Sequence, residues 1–193
     1  PDVTDIHVVS LPRWQEYVEG QVRRGGITKF RGTLPAGQTA YRSICHGIEG
    51  LQQAYQEQAE DCIVLVHDAV RPLISYEIIS RNIQVCRTRG NAITGLWSNE
   101  AYLCTTDGLE SGDYIQRERL MRAQTPHTFP LTELGRILTI ARRQGIEEHQ
   151  SLFTLCNEIH YHPLHIAQGD ILNFKLTEPG DIKIYQSLRN LVI

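Results

Sequence analysis

Asp68 and Arg71 follow directly on the apolar run Cys62–Val66. A continuous apolar run of that length reads as a buried strand, covered on both faces as in a parallel sheet. In open α/β sheets, ligands bind just beyond the carboxyl ends of the strands. A carboxylate there can hold Mg²⁺, a hard cation that takes oxygen ligands and bridges to substrate phosphates. Arg71 can reach the same phosphates with a planar fork of donors. The same spacing also suits a plain ion pair, with Pro72 opening a turn. On the residues alone both readings stand.

Positioning an acid at a sheet edge requires strands alternating with helices. "DIHVVS" (Asp5–Ser10) reads as a buried strand, followed by a helix over 11–26 that stops at Gly25-Gly26. "ITKFRG" reads as a second strand. A Pro-Ala-Gly turn then opens a helix with Tyr41, Ile44, Ile48, Leu51 and Tyr55 on one face. After "CIVLVHD", residues 75–90 form a helix with Ser75 as N-cap and Gly90 as stop. "NAITGLW" is the next strand. Residues 101–120 carry the turn-rich "TTDGLESGD" and predict a β-hairpin arm, either a dimer contact or a plain surface hairpin. "RAQTPHTF" returns to the core. Helices follow over 130–145 and 147–160. Short strands are expected in "IHYHPLHIAQGD" and "LNFKL", and a closing helix from Pro179. Strand–helix alternation of this kind defines an α/β, doubly wound sheet.

Composition narrows the function. The chain has 193 residues, 41% apolar and 21% charged, with formal net charge −3. That argues against a nucleic-acid protein, which needs clustered Lys and Arg to neutralise phosphates. No apolar run approaches the ~20 residues of a membrane helix, and no signal peptide shows at Pro1. Cys45, Cys62, Cys86, Cys104 and Cys156 are scattered without a CxxC, which suggests free thiols and a cytoplasmic protein. In "HYHPLH", His160 and His162 alternate as on one strand face. With no carboxylate or Cys nearby, packed or solvent-facing histidines fit better than zinc. "RRGG" follows a helix, so it is read as a stop and not as a phosphate loop. Trp14 and Trp97 are expected in the core or a groove.

"VHDAVRPLIS" resembles the His-Asp-Ala-x-Arg-Pro motif of the polyol-phosphate cytidylyltransferases, the family of the 2-C-methyl-D-erythritol 4-phosphate and ribitol-5-phosphate enzymes. "AGQTAYRSICHGI", "IQRERLMRAQTPHTF" and "LNFKLTEPGDIKI" resemble further segments of that family, in the same order. The resemblance implies a Rossmann-like nucleotidyltransferase sheet, mostly parallel, with a protruding β-arm at about 101–120. It implies CMP transfer from CTP to 2-C-methyl-D-erythritol 4-phosphate or ribitol 5-phosphate, with release of pyrophosphate. Asp68 would hold Mg²⁺ or another divalent cation, with Asn173 completing the metal environment. Arg71 would support that site, and Lys175 would stand near the attacking oxygen. Ala36, Gly37, Gln38 and Ser43 would surround the cytosine, with Ala69 against the nucleotide. Arg117 and Thr125 would grip the polyol phosphate. A homodimer through the arm is implied.

The departures are as informative. The family opens with a strand and a Gly-rich loop that wraps the triphosphate, a βα unit of about 30 residues. None of it precedes Pro1. Residues 1–193 therefore read as a single nucleotidyltransferase domain lacking its first βα unit, and turnover is not expected from these residues alone. The family's Thr-Asp-Thr reads Asn99-Glu100-Ala101, its Thr-Asp-Glu-Ala-Ser reads roughly 147–151, and its Asp before the Asn-x-Lys segment is Leu172. These changes leave the polyol open. They also support a rival reading, a non-catalytic member that binds a nucleotide or a partner.

Overall fold

The fold is taken from a computed structural model that describes residues 3–192. In chain order the elements are β1 (Ile6–Ser10), α1 (Gln15–Arg24), β2 (Phe30–Pro35), α2 (Ala40–Ala54), β3 (Ile63–Val66), α3 (Tyr76–Arg89) and β4 (Ala92–Trp97). β5 (Tyr102–Cys104), β6 (Asp113–Ile115), β7 (Met121–Pro130), α4 (Leu131–Arg143), α5 (Leu152–Glu158), β8 (Ile166–Gln168) and α6 (Pro179–Val192) follow.

The main sheet has the order β3-β7-β4-β8. β3 and β4 both run antiparallel to β7, and β8 runs parallel to β4. Thus β3, β4 and β8 share a direction and β7 alone opposes them, while β1 and β2 pair in parallel as a separate ribbon. β4 shows how the sheet is covered on both faces. Successive strand residues point to opposite faces. Ile93 joins the core formed with Phe129, Leu134, Ile137, Leu152 and Leu155 beneath α4 and α5. Ala92 packs with Cys86 of α3 and with Ala167 on the other side. A buried polar relay ties α3 to that face. Asn82 Nδ2 donates to Thr94 Oγ1 at 2.9 Å, and Thr94 donates to the Pro126 carbonyl at 2.7 Å.

Local signals explain several boundaries. The Ser75 side chain accepts from the Ile78 N–H, and Gly90 ends α3 at φ 91°. That positive φ is the left-handed conformation glycine adopts without strain. The 101–120 segment does form the hairpin, β5 against β6.

Four expectations are corrected. β1 is largely exposed, with only Ser10 buried, and every residue of β3 is only half-buried. Each pairs with a described strand along one edge alone; β3 still packs Val64 and Val66 on one cluster and Ile63 on the other. "LNFKL" forms no strand; the Asp170 carboxylate accepts the Leu172 N–H and turns the chain there. The strand expected across "IHYHPLHIAQGD" shrinks to Ile166–Gln168. His160 sits at φ 55°, so His160 and His162 do not share a strand face. Trp14 and Trp97 are about half exposed, at 50% and 52%, which overturns the core alternative of the expectation for them but not the groove one.

Candidate active site

β3 ends at Val66 opposite His127 of β7. The chain then turns through Asp68 to Arg71, closed by the Arg71 N–H donating to the Asp68 carbonyl at 2.9 Å. Asp68 Oδ2 lies 3.4 Å from Arg71 Nε and 3.3 Å from Lys175 Nζ. The carboxylate is 35% exposed and the ammonium 46%, whereas the guanidinium is only 11% exposed. One acid at the sheet edge thus faces a nearly buried cation and a half-exposed one.

The loop that delivers Lys175 is stitched to the sheet. Arg71 Nη1 donates to the Asn173 carbonyl at 2.8 Å, and the Leu176 N–H donates to the Val70 carbonyl at 2.8 Å. Asn173 is fully buried and donates from Nδ2 to the Thr125 carbonyl at 2.8 Å. Gln124 Nε2 donates to the Asp170 carbonyl at 2.8 Å. A Cβ on Gly169 would stand 2.4 Å from Gln124 Oε1, so any larger residue would have to displace that amide. Asn173 Oδ1 is a buried acceptor with no partner. A buried acceptor left unpaired is costly, and a bound cation or water would satisfy it. Asp68 suits a magnesium ion better, since such ions take one or two protein carboxylates and keep substrate phosphates and water for the rest. Among the described residues no cluster of three His, Cys, Asp or Glu offers a fuller protein cage.

A concavity of about 390 Å³ is lined by Leu11, Ala36, Gly37, Gln38, Arg42 and His46. The Gly37 N–H donates to Ser43 Oγ at 3.0 Å, and that hydroxyl donates to the Thr39 carbonyl at 2.8 Å. A Cβ on Gly37 would meet Arg42 Cβ at 2.4 Å. Thr39 caps α2, accepting from the Arg42 N–H and donating to Glu148 at 2.7 Å. Arg42 Nε also donates to Glu148, at 2.7 Å, and this pairing holds the Glu148 carboxyl below the usual range.

Of the residues read from sequence, the structure brings Asp68, Arg71, Lys175, Asn173 and Thr125 together at one edge. Ala36, Gly37 and Gln38 line the concavity, and Ser43 is bonded to Gly37 there. Ala69 is exposed in the turn after Asp68. Arg117 lies in a 3-10 turn beyond the arm, exposed and 3.2 Å from Glu118, with no described contact to the Asp68 cluster. Thr125 Oγ1 faces inward, toward the Asp68 N–H at 3.0 Å and His67 Nδ1 at 3.1 Å. Sequence reasoning missed Leu11, Arg42 and His46. Arg42 and His46 lie one helical turn apart on α2, a spacing that places both on the face toward Gly37.

The α/β sheet, with an acid and two cations at the end of β3 and a concavity around Gly37, fits a nucleotidyltransferase. Residues 33–189 match the family described as 2-C-methyl-D-erythritol 4-phosphate cytidylyltransferase, and the chain belongs to that family. It is 32% identical to a ribitol-5-phosphate cytidylyltransferase of Streptococcus agalactiae serotype Ia, over 95% of this chain and 75% of the relative. It is 28% identical to a 2-C-methyl-D-erythritol 4-phosphate cytidylyltransferase of Geotalea uraniireducens, over 97% of this chain and 78% of the relative. A crystal structure of a 4-diphosphocytidyl-2C-methyl-D-erythritol synthase superposes with TM-score 0.77 at 26% identity, covering 95% of this chain and 81% of that one.

Proposed function

We propose that the protein transfers CMP from CTP to ribitol 5-phosphate and releases pyrophosphate. The observation that carries the reading is Asp68 Oδ2 held between Arg71 and Lys175 at the end of β3. The Streptococcus agalactiae relative supports ribitol 5-phosphate. The replacement of the Thr-Asp-Thr segment by Asn99-Glu100-Ala101 leaves room for it. A second acceptor, 2-C-methyl-D-erythritol 4-phosphate, is favoured by the family match and the superposed synthase.

In this reading the acceptor phosphate attacks the α-phosphorus in line, and catalysis is positioning and charge neutralisation. A divalent cation, Mg²⁺ by the oxygen chemistry of Asp68, would neutralise phosphate charge when bound, with Asn173 as its second holder. Lys175 meets the charge that develops on the reacting phosphate, and Arg71 fixes Asp68. Ala36, Gly37, Gln38 and Ser43 take the cytosine, Ala69 lies against the nucleotide, and Arg117 takes the acceptor phosphate. The exposed Leu103, Leu109 and Tyr114 of the arm support pairing with a second copy of the chain. No described helix is long and apolar enough to cross a membrane, and the five free thiols support a cytoplasmic setting.

The test is pyrophosphate release by the full-length protein given CTP and equal amounts of the two acceptors. Preferential formation of CDP-ribitol supports the reading. Preferential consumption of the methylerythritol substrate replaces the acceptor, and no release with either removes the activity.

A further inference from the structure

His67 has no part in the roles above, yet it closes a ring of hydrogen bonds around Asp68. The Asp68 N–H donates to Thr125 Oγ1 at 3.0 Å. Thr125 Oγ1 lies 3.1 Å from His67 Nδ1. His67 Nε2 lies 3.0 Å from the Arg71 carbonyl. The Arg71 N–H returns to the Asp68 carbonyl at 2.9 Å.

For a neutral His67 ring, donor and acceptor chemistry fixes the direction. A carbonyl oxygen only accepts, so Nε2 carries the ring proton. In a neutral imidazole Nδ1 is then the acceptor, so the Thr125 hydroxyl donates to it. The Thr125 oxygen is left to accept the Asp68 N–H. Every proton in the ring has an acceptor. The opposite neutral tautomer would set the Nε2 lone pair against the Arg71 carbonyl.

Two consequences follow for the reaction. The Thr125 hydroxyl has a single proton. While His67 takes it, Thr125 cannot donate to a phosphate. The bridge also spans the short turn that carries both the Asp68 carboxylate and the Arg71 guanidinium, and Arg71 is the cation buried against it. We propose that His67 and Thr125 form a positioning clamp, with His67 as the Nε2–H tautomer, which aims Asp68 at Lys175 and takes Thr125 out of the substrate-contacting set. This rests on the transferase reading above.

Steady-state kinetics of the full-length protein with CTP and each acceptor test it. Misplacing a reacting group by an ångström costs on the order of 100-fold. His67→Phe and Thr125→Val are each expected to lower kcat by about 10- to 100-fold, on the same scale, with the acceptor KM unchanged. Because the two residues act as one unit, the double variant should be no worse than either single one. His67→Gln, whose amide N–H can replace Nε2–H, and Thr125→Ser should recover most of the rate. A raised acceptor KM at unchanged kcat in Thr125→Val would return Thr125 to the substrate and overturn the clamp. Nitrogen NMR of the His67 ring gives a readout independent of turnover. The Nε2–H tautomer supports the clamp even if no acceptor is turned over, and the Nδ1–H tautomer overturns it even if the enzyme is active.

Discussion

The two halves of the candidate site are built differently. Around Asp68, the supporting groups are buried and directed: Asn173 is fully enclosed, and Gln124 and Thr125 are nearly so. Around Gly37, the concavity is held by Thr39, Arg42 and Glu148, which meet at the exposed surface. Buried polar groups have to be satisfied, so they fix one geometry. Exposed ion pairs contribute little and are screened by salt. In the proposed reading, the half that aims charge at phosphorus is therefore the preorganised one, and the half proposed to take the base is the more loosely held.

That contrast can be broken by substitution. Lys175→Ala removes the half-exposed cation while leaving the buried stitching intact. Loss of one such electrostatic group costs about 10²- to 10³-fold in kcat. We expect a fall of that size in pyrophosphate release, with the thermal midpoint nearly unchanged because the side chain is half exposed. A large drop in the midpoint would place Lys175 in the structure and not in the reaction.

The next effect concerns pH and the buried half alone. Burial pushes His127 down from 6.5 to about 4. In the folded state the ring stays neutral, whereas the unfolded chain takes up a proton below about 6.5. Between those values the unfolded state binds more protons. Stability is therefore full above pH 6.5 and falls as the pH drops toward 4, by about 3 kcal/mol. Urea unfolding at pH 7 and pH 4.5 should show that loss in the native sequence and a smaller loss in His127→Phe. Equal losses would contradict it.

On the nucleotide side, Gly37→Ala forces a Cβ against Arg42. The CTP KM should rise by roughly tenfold, the equivalent of about 1.4 kcal/mol, with kcat nearly unchanged. The smallest effect is expected for Glu148→Ala. It breaks the exposed pair with Arg42 and should cost no more than about 1 kcal/mol of stability, less at high salt. A larger and salt-insensitive loss would mean that this half is as tightly built as the other.

Much of this arrangement was legible in the sequence where local chemistry decides the outcome. Ser75 and Gly90 bounded α3 because cap and stop act within a few residues. The apolar run ending at Asp68 located the sheet edge, and family resemblance joined Lys175 to it across a long stretch of chain. Failures came where tertiary partners decide. The alternation of Leu172, Phe174 and Leu176 mimics a strand, yet Asn173 and Gln124 tie that segment down as a loop. β1 looked buried because apolar residues do not reveal which neighbours cover them. The direction of a hydrogen bond, as in the ring through His67, has no signature in residue order.

The central claim is that Asp68, set between Arg71 and Lys175, serves CMP transfer to a polyol phosphate. Its most direct test is pyrophosphate release from CTP and ribitol 5-phosphate by the full-length protein beside its Asp68→Ala variant. The account expects release by the native protein and a loss of at least about 100-fold in the variant, with the circular dichroism spectrum retained. Undiminished release by Asp68→Ala, or none by the native protein with either acceptor, would contradict it.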